Sequence, residues 1–138
     1  MILVDTSTWI DFFAKRRSPH VETLISSIKD SEDICICGII LTEILQGIRD
    51  DTQHRKTKTY LGELIFLPMT YPTFVKSADI YRSLRRKGIT VRKPVDCMIA
   101  AVAIEHEVSL LHNDKDFAPM EKYCNLKNAL RCETMGKR

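Results

Sequence analysis

Four runs of three or four residues, Ile2-Leu3-Val4, Ile34 to Cys37, Ile65-Phe66-Leu67 and Ser109 to Leu111, are too short for helices and too apolar for loops. Runs of this kind read as strands buried on both faces, the pattern of a parallel sheet covered by helices. Between them lie longer stretches with helical spacing: Trp9 to Phe13, Val21 to Ile28, Ile40 to Ile48, Phe74 to Leu84 and Val95 to Ile104. The alternation predicts an α/β fold, an open, mostly parallel sheet flanked by helices on both faces. A further short strand is expected near Asn125 to Leu130. With no linker, repeat or low-complexity stretch, residues 1–138 read as one domain ending in a polar, frayed tail from Glu133 to Arg138.

Composition narrows the class. Hydrophobic residues make up 44% and charged residues 28%, the balance of a soluble globular protein, and no apolar run suggests a membrane span. The start Met1-Ile2-Leu3-Val4-Asp5 has no basic segment, apolar segment or cleavage site of a secretory signal, so a cytoplasmic location is expected. The 5 cysteines form no Cys-x-x-Cys pair and share no zinc-ligand spacing with His20, His54, His106 or His112. Reduced, partly buried thiols are the expectation.

A formal charge of +3 does not by itself indicate a nucleic-acid partner. Its distribution is more informative. Arg82, Arg85, Arg86, Lys87, Arg92 and Lys93 are set against a single acid, Asp79, between Lys76 and Lys93. This stretch admits two readings, a solvated helix face or a track for a phosphate backbone.

In an open parallel sheet the functional crevice lies outside the carboxyl ends of the strands. Asp5 ends the first run and precedes Thr6-Ser7-Thr8, a position that also suits a helix N-cap. Glu43 lies one turn into the helix after the second run, off the edge of the stripe Ile40, Leu41, Ile44, Leu45 and Ile48. Asp96 follows Pro94 in a first helical turn, where an acid also complements the helix dipole. Asp114 and Asp116 follow the fourth run in Asn113-Asp114-Lys115-Asp116, a composition equally typical of a plain turn. Each acid has an ordinary explanation alone, but all of them can reach one strand-end face, which independent caps need not do. Carboxylates gathered there would repel by up to about 4 kcal/mol per pair at 4 Å and an effective dielectric near 20, so the cluster demands a cation. Oxygen ligands without His or Cys suit Mg²⁺ or Mn²⁺.

Taken together, Asp5-Thr6-Ser7-x-x-Ile10, Thr42-Glu43-Ile44-Leu45-x-Gly47, Asp96-x-x-Ile99-Ala100-Ala101 and Asn113-Asp114-Lys115-Asp116-Phe117 resemble the PIN-domain nucleases of the VapC toxin type, in order, over nearly the whole chain. The resemblance implies a single PIN-like domain and a metal-dependent endoribonuclease. It implies that Asp5, Glu43, Asp96 and Asp114 are the acidic quartet that binds Mg²⁺ or Mn²⁺, with Asp116 as an accessory ligand or water-positioner and Thr6 or Ser7 supporting the first aspartate. It also implies an RNA substrate, a VapB-type antitoxin as partner, and a homodimer. From such ligands a metal-activated water would attack phosphorus and leave a 5′-phosphate and a 3′-hydroxyl. In that setting Arg82, Arg85, Arg86, Arg92 and Lys93 become candidate RNA contacts. Trp9 and Phe12 can stack bases, but their spacing with Ile10 and Phe13 favours core packing. His112 departs from the family pattern, which often carries a small hydroxyl residue there. It is either a general acid or a strand-end histidine satisfied by a backbone partner, the latter being the preferred reading.

Three other functions compete. A receiver-type phosphoacceptor domain would need an aspartate ending the third strand, whereas Leu67 is followed by Pro68-Met69-Thr70. That feature excludes it. A catalytically silent module that binds RNA or protein, and a DNA nuclease, stay open, although a pure phosphate binder gains nothing from four acids.

Overall fold

The computed structural model describes residues 1–130; the expected frayed tail, Glu133 to Arg138, lies outside them. Four strands, β1 (Ile2–Val4), β2 (Ile34–Cys37), β3 (Ile65–Leu67) and β4 (Ser109–Leu111), form a sheet in the order β3-β2-β1-β4. Every pairing is parallel, with Leu3 opposite both Cys35 and Leu110. The central strands β1 and β2 are buried at every position, which is why their sequences are continuous apolar runs. At the edge, β3 leaves Ile65 and Phe66 exposed.

Parallel strands need crossovers, and helices supply them. In chain order these are α1 (Thr6–Phe13), α2 (Pro19–Lys29), α3 (Gly38–Gln46), α4 (Asp51–Leu61), α5 (Tyr71–Arg86), α6 (Pro94–Glu105) and α7 (Ala118–Tyr123), with a 3-10 turn at Lys115–Phe117. Local chemistry marks several starts. The Ser18 hydroxyl accepts the Val21 N–H at 3.1 Å ahead of Pro19, and Asp50 accepts the Gln53 N–H at 2.8 Å. At the end of α5, Gly88 adopts φ +78°, and the Gly88 and Ile89 N–H groups return to the Arg85 and Leu84 carbonyls. This Schellman-type stop turns the chain toward Arg92, Lys93 and α6.

All five predicted helices are present and start earlier than expected, but α3 stops at Gln46, where Gly47 caps it, rather than continuing to Ile48. Two helices were not predicted. Most of α4 is polar, with only Thr57 and Leu61 buried, so it carries no apolar stripe to read. The other, α7, is a six-residue helix that follows the aspartate turn directly. The expected strand near Asn125 to Leu130 reduces to one bridge, Leu110 to Asn128, where Leu110 donates to the Lys127 carbonyl at 2.8 Å and accepts from Ala129 at 2.9 Å.

α6 lies at the centre of the fold, buried from Asp96 and Cys97 through Ile99 to Ala103. It packs chiefly on α5, and the Thr73 hydroxyl of α5 donates to Glu105 at the far end of α6 at 2.5 Å. Trp9 is fully buried, against Phe12 and Phe13, so it packs the core and offers no face to a base.

Candidate metal centre

Backbone bonding sets the first acid in place before its side chain does anything. The Asp5 N–H donates to the Leu111 carbonyl at 2.9 Å, which continues the β1–β4 ladder one residue past the strand. Asp5 occupies the N-cap position of α1, yet its carboxylate makes no capping hydrogen bond. Instead Oδ2 accepts the Ser7 hydroxyl at 3.1 Å. The neighbouring Thr6 hydroxyl reaches across to Glu43 Oε1 on α3 at 2.6 Å. Thus of the two alternatives expected to support the first aspartate, the Ser7 hydroxyl does so, while the Thr6 hydroxyl steadies the glutamate.

Asp96 sits in the first turn of α6, 5% exposed. Its Oδ2 is buried and has no hydrogen-bond partner among the described residues. Burial, and then the nearby charges of Asp114, Asp5 and Asp116, push its carboxyl up to about 6 against the restraining charge of Lys93. Asp5 is also raised, mainly by burial and further by Glu43, although Ser7 acts the other way.

The turn after β4 divides its two aspartates between structure and cavity. Asp114 Oδ1 accepts the Asp116 N–H at 2.9 Å, the plain turn bond, while Oδ2 takes the Lys93 ammonium at 3.0 Å. Burial would raise this carboxyl, but the Asp116 N–H and Lys93 outweigh it and hold Asp114 below the usual range. Both Asp116 oxygens accept from one Arg92 nitrogen, at 2.9 and 3.0 Å.

Asp5, Glu43, Asp96 and Asp114 line one cavity of about 240 Å³ at the strand ends, together with Thr6, Ser7 and Lys93. Asp96, Asp114 and Asp116 form a tighter trio whose oxygens lie within 4.8 Å of one another. Asp116 and Arg92 face an adjoining cavity of about 330 Å³, which Asp96 shares. Of the basic residues, Arg92 and Lys93 stand at the acids. Arg82, Arg85 and Arg86 are exposed along the C-terminal half of α5, where Arg85 and Arg86 also complement the helix dipole and Arg85 lies over the Tyr81 ring at 5.7 Å.

His112 is buried at the end of β4 with both ring nitrogens engaged. Nδ1 accepts the Asp114 N–H at 3.1 Å, so the ring proton resides on Nε2, which donates to Glu121 Oε2 at 2.6 Å. One ring nitrogen thus has the expected backbone partner and the other a carboxylate, which ties the Asp114 turn to α7. Glu121 was not foreseen in this role. Nothing in the sequence relates residues 112 and 121 once α7 goes unrecognised.

The donor set fits a hard divalent cation: oxygen ligands only, one of them a buried carboxylate oxygen with no partner among the described residues. Comparisons with known proteins identify the fold family. The PIN-domain sequence profile matches residues 2–123. VapC ribonuclease Mb1587 of Mycobacterium bovis is 38% identical over 133 residues, spanning 94% of this chain and 98% of that protein. Ribonuclease VapC11 of Mycobacterium tuberculosis matches to the same extent, 38% over 133 residues and the same shares of each chain. Among solved structures, VapBC2 from Rickettsia felis, bound to a DNA fragment from its promoter, superposes with a TM-score of 0.73 at 21% identity, covering 93% of this chain and 97% of that one.

Proposed function

The chain belongs to the PIN-domain family, and from that premise we propose that Asp5, Glu43, Asp96 and Asp114, with Asp116 as an accessory ligand or water-positioner, hold Mg²⁺ or Mn²⁺ for the cleavage of RNA. The protein is a VapC-type RNA-cleaving toxin paired with an antitoxin. One observation carries the site assignment. Four carboxylates from separate elements line a single cavity, and one of the two buried ones, Asp96, leaves its Oδ2 without a hydrogen-bond partner among the described residues. An isolated cap or turn has no use for an unsatisfied buried oxygen, whereas a cation ligand does.

When bound, the divalent ion supplies the positive charge that activates a water for attack on phosphorus and stabilises the leaving oxygen. The chain's own groups hold that arrangement in place. Thr6 fixes the Glu43 carboxylate, Ser7 fixes that of Asp5, and the Asp116 N–H fixes one oxygen of Asp114 so that the other faces the cavity. Rigid acids save the reorganisation that a loose set would undergo during the reaction. Arg92 and Lys93 at the rim, and Arg82, Arg85 and Arg86 along α5, draw in the RNA backbone. On this reading a VapB-type antitoxin restrains the activity, the chain forms a homodimer, and it acts in the cytoplasm. Among the described residues no helix is long and apolar enough to cross a membrane.

The test uses the purified chain, free of antitoxin, on total RNA and on DNA. RNA cleavage is expected with Mg²⁺ or Mn²⁺ and none in excess chelator. Full activity in chelator would remove the metal mechanism. Cleavage of DNA alone would reassign the substrate, and metal binding without cleavage would restore the silent module.

A further inference from the structure

A crevice that receives both a divalent cation and a phosphodiester gains from cations at its mouth. Lys93, half exposed at that rim, also reaches in to the acids. Its Nζ is 3.0 Å from Asp114 Oδ2, 3.9 Å from Asp96 Oδ2 and 4.0 Å from Asp116 Oδ2. These are the three acids whose oxygens approach within 4.8 Å of one another. Arg92 behaves differently, holding Asp116 alone.

The Lys93 contacts are unequal in a telling way. Only Asp114 is within hydrogen-bond range, and the Asp96 oxygen it faces is the buried one left without a partner. The ammonium therefore offsets part of the trio's charge without satisfying it. The residue is well suited to a temporary post. Lys93 is the N-cap of α6, so its backbone is anchored beside Asp96, while its side chain, 53% exposed, runs on a flexible four-carbon stem. A compact point charge needs no exact ligand geometry, so it can occupy and vacate a carboxylate cluster without moving the fold.

We propose that Lys93 is the resident counter-ion of the acid trio: it competes with a divalent cation for Asp114 and Asp96, and metal loading releases its ammonium toward the crevice mouth, where a substrate phosphate enters. The inference rests on the metal site proposed above. In the absence of metal, Lys93 relieves the repulsion among carboxylates that folding forces together. In the presence of metal, the same positive charge opposes binding until the side chain leaves. Metal affinity is then lower than the acids alone would give, and the released lysine joins the phosphate-binding rim only once the site is loaded.

Calorimetric titration of Mn²⁺ into the full chain, with melting in chelator and in Mn²⁺, tests this on wild type, Lys93→Met and Lys93→Arg. Lys93→Met is expected to bind Mn²⁺ about tenfold tighter, the size of an ordinary coupling between two sites. It should also melt below wild type in chelator and gain more from Mn²⁺. Lys93→Arg retains the charge and should stay close to wild type in both measurements. Equal or weaker Mn²⁺ binding by Lys93→Met, with wild type still binding, overturns the counter-ion role and leaves the metal site standing. A Lys93→Met protein that melts low in chelator and is not recovered by Mn²⁺ also overturns it, because the loss is then one of packing. If neither wild type nor Lys93→Met binds Mn²⁺ at millimolar concentration, the metal site falls, and the counter-ion role falls with it.

Discussion

Helices α1 and α3 each carry two chemistries at successive positions along their length. Toward the carboxyl ends of the strands they present Thr6, Ser7 and Glu43 to the acid crevice. Away from it, Ile10, Phe13, Ala14, Ile44, Gly47 and Ile48 line an apolar groove of about 340 Å³ against α4. Ile10 borders both. In the crevice nearly every polar group is oriented by a named hydrogen bond, so a change of one atom alters charge and leaves volume alone. Behind the groove wall the contacts are ring packing, Trp9 on Phe13 at 5.6 Å and Phe13 on Tyr60 at 5.8 Å, so a change at Phe13 alters volume and leaves charge alone. The pair shows how one helix can serve chemistry and packing at once: Thr6, Ile10 and Phe13, four and then three residues apart, follow one face of α1 from the crevice into the groove.

The sharpest way to break this contrast is isosteric substitution in the crevice. Asp5→Asn and Asp96→Asn should each reduce RNA cleavage by about a hundredfold or more, the scale of losing a charge-stabilising group in an active site. Phe13→Ala, on the groove wall, should leave the rate per folded molecule within about twofold and cost about 1–2 kcal/mol of stability. Near-normal cleavage by either aspartate variant would remove that residue from the site, and a large rate loss in Phe13→Ala would mean that the two regions are coupled.

The next effect concerns binding. Arg85→Ala with Arg86→Ala should weaken RNA binding and lower the slope of log affinity against log salt by roughly one unit per lost phosphate contact. Mn²⁺ affinity should not change. An unaltered slope would make these arginines a solvated helix end, consistent with the dipole they complement and with the Tyr81 stacking.

A smaller effect separates the two explanations of Asp96 by sign. If its burial beside other acids is unfavourable without metal, Asp96→Asn should melt above wild type in chelator, by roughly 3–5 °C for about 1 kcal/mol. An acid serving only the helix dipole would make the same variant melt lower.

The difference should also depend on pH. The Asp96 carboxyl is raised from 3.8 to about 6 by burial, so between those values the folded protein holds more protons than the unfolded one. Stability contributed through this group therefore rises as pH falls through 6. At pH 7.5 the variant should keep its advantage over wild type in chelator, and near pH 4.5 most of the advantage should vanish, because wild type is then protonated. Asp5 shifts in the same direction, while Asp114, held low, loses its contribution only below the ordinary carboxylate range. A gap between wild type and variant that is constant from pH 7.5 to 4.5 would contradict the burial cause.

The alternation of short apolar runs with helical stretches determined the parallel α/β architecture, because strands buried on both faces must be apolar throughout and parallel strands need crossovers. Order along that frame drew Asp5, Glu43 and Asp114, which follow strands, toward one edge, with Asp96 opening the helix before β4, and the resemblance to PIN-domain nucleases implied that these four are the quartet. Tertiary structure decided the rest. α4 was illegible because a helix with two buried residues has almost no periodic signal, and α7 because six residues are too few to show one. Thr6 serves Glu43 rather than Asp5 because the approach of α1 to α3 is set by packing across 37 residues of chain. Asp116 stands closer to Asp96 and Asp114 than its accessory rank suggested, and Lys93 reaches inward among them. Separations of a few ångströms decide which charges compensate one another, and those distances exist only after distant elements have packed.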